Sequence, residues 1–469
     1  MIVHKFGGTS VGNADRFAAV ADLMIRYQND PAQGGVIVVV SAMSGVTNAL
    51  IAGARAAAEG RDTICRKIKA ELLDKHLDVV ETLLGHSPER LDVGGLVEDR
   101  LHDLERLYRS IAILGELTLR GADAVASFGE QLSCNILAAV LRERGMRAQA
   151  ISATQLIVTD DHFGNAAPLI DPTRRRLAER VKPLVERGVI PVITGYIGAT
   201  ASGVTTTLGR GGSDYTATLI GAGINADEVW IWSDVSGILT ADPNIVPQAR
   251  TLCELSYAEA AELAYYGANV LHPKAIRPVI ENSIPLRIAN SFDPSAPTTL
   301  IVETPNPERE RRPAIISTTG LSRIAIGSAA GSDDDWSLDT SARILHLLSE
   351  AGVDVPMFSQ SFSEHNLNLI VREQDQAHCL YALNQAFGDS CDLETKEQVA
   401  TISVVGTPAW NETGIVSHAF AALGAHGTRV IAVAQAGSEY AVSFCIPQDQ
   451  VADTVRYLHQ ELELDKNAA

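Results

Sequence analysis

The sequence lacks several features that would place it quickly. No uninterrupted apolar run approaches the roughly 18 residues that cross a bilayer. The opening MIVHKF has neither the basic n-region nor the long apolar h-region of a secretory signal, so a cytosolic chain is expected. Six cysteines (Cys65, Cys134, Cys253, Cys379, Cys391, Cys445) are scattered, with no C-x-x-C pair and no Cys/His cluster at zinc spacing. That pattern predicts reduced structural thiols rather than disulfides or metal ligands. Excess positive charge is missing as well: 38 Lys and Arg stand against 57 Asp and Glu, a formal net charge of −19. Such a surface repels nucleic acid and anionic membrane, so neither is expected as a partner. An anionic small molecule is still permitted, provided cations are gathered where it binds. Two phosphate-binding signatures, GxxxxGK[ST] and GxGxxG, are also absent.

What is present is a soluble, globular composition, 46% hydrophobic and 20% charged over 469 residues. That length suggests about two to four domains. Residues 1 to about 300 alternate strands with helices, which implies an α/β domain whose largely parallel sheet is covered on both faces. IVHKF, GVIVVVSAM, VIPVITGYIG and EVWIWSDV read as its strands. Each ends in small or polar residues, where ligands of open α/β sheets bind. Between Arg61 and Arg120 the chain turns helical and charged. This is a helical insertion that caps a site, a dimer surface, or a plain solvated amphipathic pair. Prolines and charges at 302–314 mark a linker. Beyond it, VDVPMFSQSFSEHNLNLIV (353–371) aligns with TRVIAVAQAGSEYAVSFCI (428–446), pairing Gln360 with Gln435, Ser363 with Ser438 and Glu364 with Glu439. A repeat of this kind signals a duplicated strand–helix–hairpin–helix–strand unit.

Five stretches of the first domain carry candidate chemistry. In HKFGGTSVG, Gly7 and Gly8 follow a strand as a tight turn, or as a phosphate cradle with Lys5 as its point charge. VSAMSGVTN offers Ser41, Ser44 and Thr47 to a polar ligand, or is an ordinary helix start. In ASFGEQLS, Glu130 opens an apolar helix, as a ligand or as a carboxylate that suits the helix dipole. TTTLGRGGSDYTA is more specific. A turn needs no Arg210 between glycines, whereas a bidentate guanidinium beside Ser213 and Asp214 at a helix start suits a carboxylate. WSDVSGILTADP places Asp234 where a nucleotide's hydroxyls or base could be held.

KFGGTSVG, SAMSGVTN, SFGEQLS, TTTLGRGGSDYTA, SDVSGILTADP and YYGANVLHP, in this order, resemble the aspartate kinases of the amino-acid kinase family, and the repeats are similar to their paired ACT domains. The resemblance implies an amino-acid kinase fold over 1–300. Two ferredoxin-like βαββαβ ACT domains would follow at 313–388 and 389–464, with strands shared with 301–315. It implies ATP- and Mg²⁺-dependent phosphorylation of the L-aspartate β-carboxylate, the first step towards lysine, threonine and methionine. On that basis Lys5, Gly7, Gly8 and Asp214 would serve the transferring phosphoryl group. Ser41, Thr47, Glu130, Arg210 and Ser213 would hold aspartate, with Glu130 on its ammonium and Arg210 on its α-carboxylate. Ser233, Asp234, Leu239, Asn244, Asn269 and Val270, with Lys5 and Gly8, would meet the nucleotide. Gln360, Ser361, Ser363, Glu364, Gln435, Ser438 and Glu439 would face an effector, lysine or threonine, in a homodimer or larger assembly joined through the ACT domains. Relatives often carry Tyr, Arg and Lys where this chain has Leu239, Asn244 and Asn269. The loop at 327–338 replaces the usual glycine-rich effector turn with Asp333, Asp334 and Asp335. These departures keep open an uninhibited enzyme and a catalytically weak or silent amino-acid sensor.

Overall fold

The structure, a computed structural model, describes all residues except 31–33, 86, 268–270, 308–310, 329–337, 362–365, 389–390, 407–413, 436–439 and 466–469. The chain forms two units. One comprises Met1–Ile238, Cys253–Tyr257 and Asn269–Pro305; the other comprises Leu239–Leu252, Ala258–Ala268 and Asn306–Ala469. A simple break near residue 300 therefore misses two excursions, 239–252 and 258–268, which pack with the second unit.

The strands of the first unit are β1 (Ile2–Phe6), β2 (Val36–Val40), β3 (Ala148–Ile151), β4 (Val158–Thr159), β5 (Ile190–Thr194), β6 (Ile197–Thr200), β7 (Thr205–Thr207), β8 (Glu228–Ser233), β9 (Glu254–Ser256), β10 (Leu286–Asn290) and β11 (Thr299–Val302). Eight of them form one sheet in the order β3-β5-β2-β1-β8-β10-β11-β9. All its pairings are parallel except β10 with β11. β1 and β2 are buried along their whole length, which is why they read as unbroken apolar runs. Because side chains alternate across a strand, Phe6, Val38 and Val40 enter the core beneath helices Ala14–Gln28 and Leu119–Glu143. Lys5 faces the other way, towards helix Gly212–Ile224.

Helix Leu119–Glu143, capped by Thr118, is long and apolar enough to cross a membrane, although no uninterrupted apolar run in the sequence is. Its apolar residues are interleaved with polar ones, and 78% of its most apolar window is buried inside the protein. Helices Asp62–Leu84 and Pro88–Leu114 form the charged insertion. Their buried Leu72, Val79, Val97, Leu101 and Leu104 share the core with Leu50 of helix Val46–Ala58, so the pair is not simply solvated.

The second unit adds β12 (Ala314–Ser328), β13 (Met357–Ser361), β14 (Asn366–Arg372), β15 (Cys391–Val405), β16 (Ala432–Gln435) and β17 (Ala441–Pro447), in the order β13-β14-β12-β15-β17-β16. The duplication holds: Ala432 opens β16 as Met357 opens β13, and Ala441 opens β17 as Asn366 opens β14, each 75 residues on. The division between the copies is not linear. Leu321–Gly327 of β12 pairs with β14, while Ala314–Thr318 pairs with Ser403–Val405 and its neighbours in the second copy. Conversely Cys391–Lys396 of β15 completes the first copy, and Val399–Val405 pairs with β17. The first copy is thus a βαββαβ unit whose last strand, 391–396, lies beyond a boundary drawn at 388, and the second takes its sixth strand, 314–318, from upstream of the first. None of the six cysteines is paired in a disulfide.

Candidate active site

The parallel strands point their carboxyl ends the same way, and the predicted loops emerge there. Lys5, Gly7 and Gly8 leave β1, and Ser41 and Thr47 follow β2. Glu130 comes from helix Leu119–Glu143, and Arg210, Ser213 and Asp214 come from the turn after β7 and the helix it opens. All nine line a single cleft of about 590 Å³.

Within it the Lys5 ammonium sits 2.5 Å from the Asp214 carboxylate, and both are largely buried. Gly8 is required by space: a Cβ there would stand 2.8 Å from the Ala42 carbonyl oxygen and 3.3 Å from the Ser44 nitrogen. The cradle is consequently bare backbone, open to an anion. Gly211, the N-cap of helix Gly212–Ile224, has φ +69°, and a Cβ on it would lie 2.4 Å from the Cβ of His272. The helix start thus carries Ser213 and Asp214 into the cleft with no side chain in the way. Arg210 is exposed at the rim and, among the described residues, has no acidic partner.

Glu130 is 3% exposed, and burial pushes its carboxyl up to about 8, against the pull of the Ala42 N–H and its own N–H. Its Oε2 has no hydrogen-bond partner among the described residues. A buried acceptor left unpaired suits an incoming cation. The helical insertion reaches this wall, since Lys75 Nζ donates to the Ser44 carbonyl at 2.6 Å.

The remaining predicted residues lie elsewhere. Ser233 and Asp234 stand at the carboxyl end of β8, beside β1, with Ser233 Oγ 3.2 Å from Asp234 Oδ1. They do not line the cleft. Leu239 and Asn244 belong to the second unit. There Leu239 bridges to Thr251, and Asn244 donates to Asp242 Oδ1 from its backbone and its side chain. Asn269 and Val270 fall outside the described residues, as do Ser363, Glu364, Ser438, Glu439 and Asp333, Asp334 and Asp335. Gln360 and Ser361 end β13, and Gln435 ends β16; Gln360 Nε2 is buried without a partner among the described residues.

Two cleft residues lie outside every stretch that the sequence singled out for chemistry: Gly164 and Tyr196. Tyr196 was the easier to find, because it follows Gly195 at the end of an apolar strand. It holds φ +68°, a conformation that is costly for a bulky residue and concentrated at functional sites.

Comparisons with known proteins agree with this geometry. The model of the amino acid kinase family matches residues 1–290, and an ACT domain model matches 337–387 and 402–462. Aspartokinase 1, chloroplastic, of Arabidopsis thaliana is 32% identical over 471 residues, covering 98% of this chain and 79% of its own. Bifunctional aspartokinase/homoserine dehydrogenase 1, chloroplastic, of Zea mays is also 32% identical, over 99% of this chain, but the chain spans only 50% of that protein. Among solved structures, E. coli aspartokinase III in complex with aspartate and ADP, in its R-state, has a TM-score of 0.83 at 28% identity. The match covers 99% of this chain and 100% of that one. The same enzyme with lysine and aspartate, in its T-state, has a TM-score of 0.79 at 28% identity, over 98% and 99%. By both comparisons the chain belongs to the amino acid kinase family, among the aspartokinases.

Proposed function

We propose that the chain transfers the γ-phosphoryl group of ATP to the β-carboxylate of L-aspartate, giving 4-phospho-L-aspartate and ADP. The observation that carries this is the convergence, in one cleft, of Lys5 over a glycine cradle with Arg210 and with Glu130, whose Oε2 is unpaired among the described residues. Phosphoryl transfer asks mainly for positioning and charge neutralisation. The acceptor carboxylate is already ionised at neutral pH, so no general base is needed. Glu130 takes the substrate ammonium, Arg210 its α-carboxylate, and Thr47 and Ser41 supply hydroxyls. Lys5, held by Asp214, meets the phosphoryl group as it moves, and Ser233 and Asp234 contact the nucleotide. Among the described residues no three His, Cys, Asp or Glu side chains gather as a metal site. Mg²⁺ that arrives on phosphates needs only one or two carboxylates, and Asp214 is the one beside the cradle. There it would neutralise phosphate charge.

The aspartate and ADP bound by one relative, and the lysine bound by the same enzyme, support these substrates and lysine as effector. Entry into lysine, threonine and methionine synthesis, threonine as a second effector, ACT-mediated dimers and cytosolic residence complete the reading. A hydroxamate assay with millimolar L-aspartate and Mg-ATP tests it, and an unphosphorylated product pool would favour a silent sensor instead. Arg210→Ala is expected to raise the aspartate KM about tenfold or more, with a smaller effect on ATP, as a lost charged hydrogen bond of about 1.5–3 kcal/mol requires.

A further inference from the structure

Asp123 lies about two turns before Glu130 on helix Leu119–Glu143, which places both on one face. It is 3% exposed, and among the described residues no cation pairs with it. Three hydrogen bonds compensate the buried carboxylate. Oδ2 accepts from the backbone N–H of Gly164 at 2.9 Å and of Thr207 at 3.0 Å, and Oδ1 accepts from the Thr207 hydroxyl at 2.6 Å. Gly164 lines the cleft, and Thr207 is the last residue of β7, immediately before the turn that carries Arg210. The next residue, Leu208, donates its N–H to the Tyr196 carbonyl at 2.9 Å. One carboxylate therefore ties two pieces of cleft wall, at Gly164 and Thr207, to the helix that bears Glu130.

The geometry points to Asp123 as a positioning residue that fixes the separation between Glu130 and the Arg210 turn, and so sets the grip on the ammonium and α-carboxylate of the bound amino acid. Glu130 and Asp123 are spaced by a regular helix, and Arg210 follows Thr207 by only Leu208 and Gly209. With Asp123 fastened to both the amide and the hydroxyl of Thr207, the turn cannot slide along the helix without breaking buried bonds. A purely structural role predicts something else: lost stability, with the surviving protein unchanged in aspartate KM.

The inference rests on the aspartate reading above, and turnover by the parent chain tests that reading separately. Asp123→Asn keeps the shape but loses an acceptor; Thr207→Val removes the hydroxyl and keeps the backbone bond; Thr207→Ser restores the hydroxyl. The first two are expected to raise the aspartate KM at least fivefold with the ATP KM unchanged. Thr207→Ser should stay within twofold of the parent. Hydrogen exchange at 208–212 should quicken in Asp123→Asn and Thr207→Val, a readout that needs no substrate. Unchanged exchange and unchanged aspartate KM, with only melting temperature or active fraction reduced, would overturn the assignment. Should Asp123→Asn fail to fold, the valine and serine variants decide the matter.

Discussion

A carboxyl that burial holds neutral must change state when a cation arrives, and Glu130 is such a group. Its burial-raised value of about 8 means that at pH 7 the side chain is mostly protonated before substrate binds. Pairing with the aspartate ammonium favours the carboxylate, so binding should release up to one proton. The aspartate KM should fall as pH rises from 6 towards 8, because deprotonation then costs less, by about 1.4 kcal/mol per unit. Calorimetric titration in buffers of different ionisation enthalpy counts the proton. Glu130→Gln should abolish the release and raise the aspartate KM about tenfold; an unaltered proton count would remove Glu130 from the ammonium site. Residues such as Lys5, Gly8, Arg210 and Asp214 were legible because each sits in a short run whose spacing has few other uses. Asp123 was not, because its meaning comes from a partner far along the chain, Thr207, 84 residues away.

At the level of elements, β-branched runs and a repeat offset announced strands and duplication, whereas strand exchange left no local mark. β12 reads as one strand, and only its partners reveal that it serves two copies. The segment Leu239–Leu252 is similar. It follows β8 in sequence, yet Ala241 and Val246 share a core with Val455, Leu458 and Leu462 of the last helix, Val451–Glu461, and its end. Thr240 adds polar ties: its Oγ1 lies 2.9 Å from His459 Nε2, its N–H donates to Arg250 and its carbonyl accepts from Ile315. Leu458→Ala should therefore cost about 2–5 kcal/mol, as deletion of a fully buried leucine does. It should also expose 239–252 to protease together with the second copy. Protection of 239–252 that tracks the first unit instead would contradict this packing.

For the molecule as a whole, the buried titratable groups set how stability depends on pH. His4 and His76 are buried as neutral rings, and desolvation lowers them to about 3 and about 4 from 6.5. The unfolded chain takes up these two protons below pH 6.5, so their contribution is complete above that pH and drains away as pH falls. Glu130 acts oppositely: its contribution is complete below 4.5 and is lost as pH rises towards 8. The terms oppose one another between 6.5 and 4.5. Just below 4.5 the histidines are no longer opposed by Glu130 and act at about 1.4 kcal/mol per proton per pH unit, with the lowered carboxyls of Glu89 and Asp160 adding loss of the same sign. Urea midpoints should thus fall most steeply there, and midpoints flat from pH 6.5 to 4 would refute the account.

The crossed edges of β12 and β15 constrain how this chain can be altered. Excising either ACT copy as a contiguous block takes away a border strand from the survivor, much as unpicking one side of a woven seam frays the other. Shortened or rearranged descendants must keep both halves of the braid or discard both, and a lone copy transplanted into another protein would have to bring a borrowed strand with it.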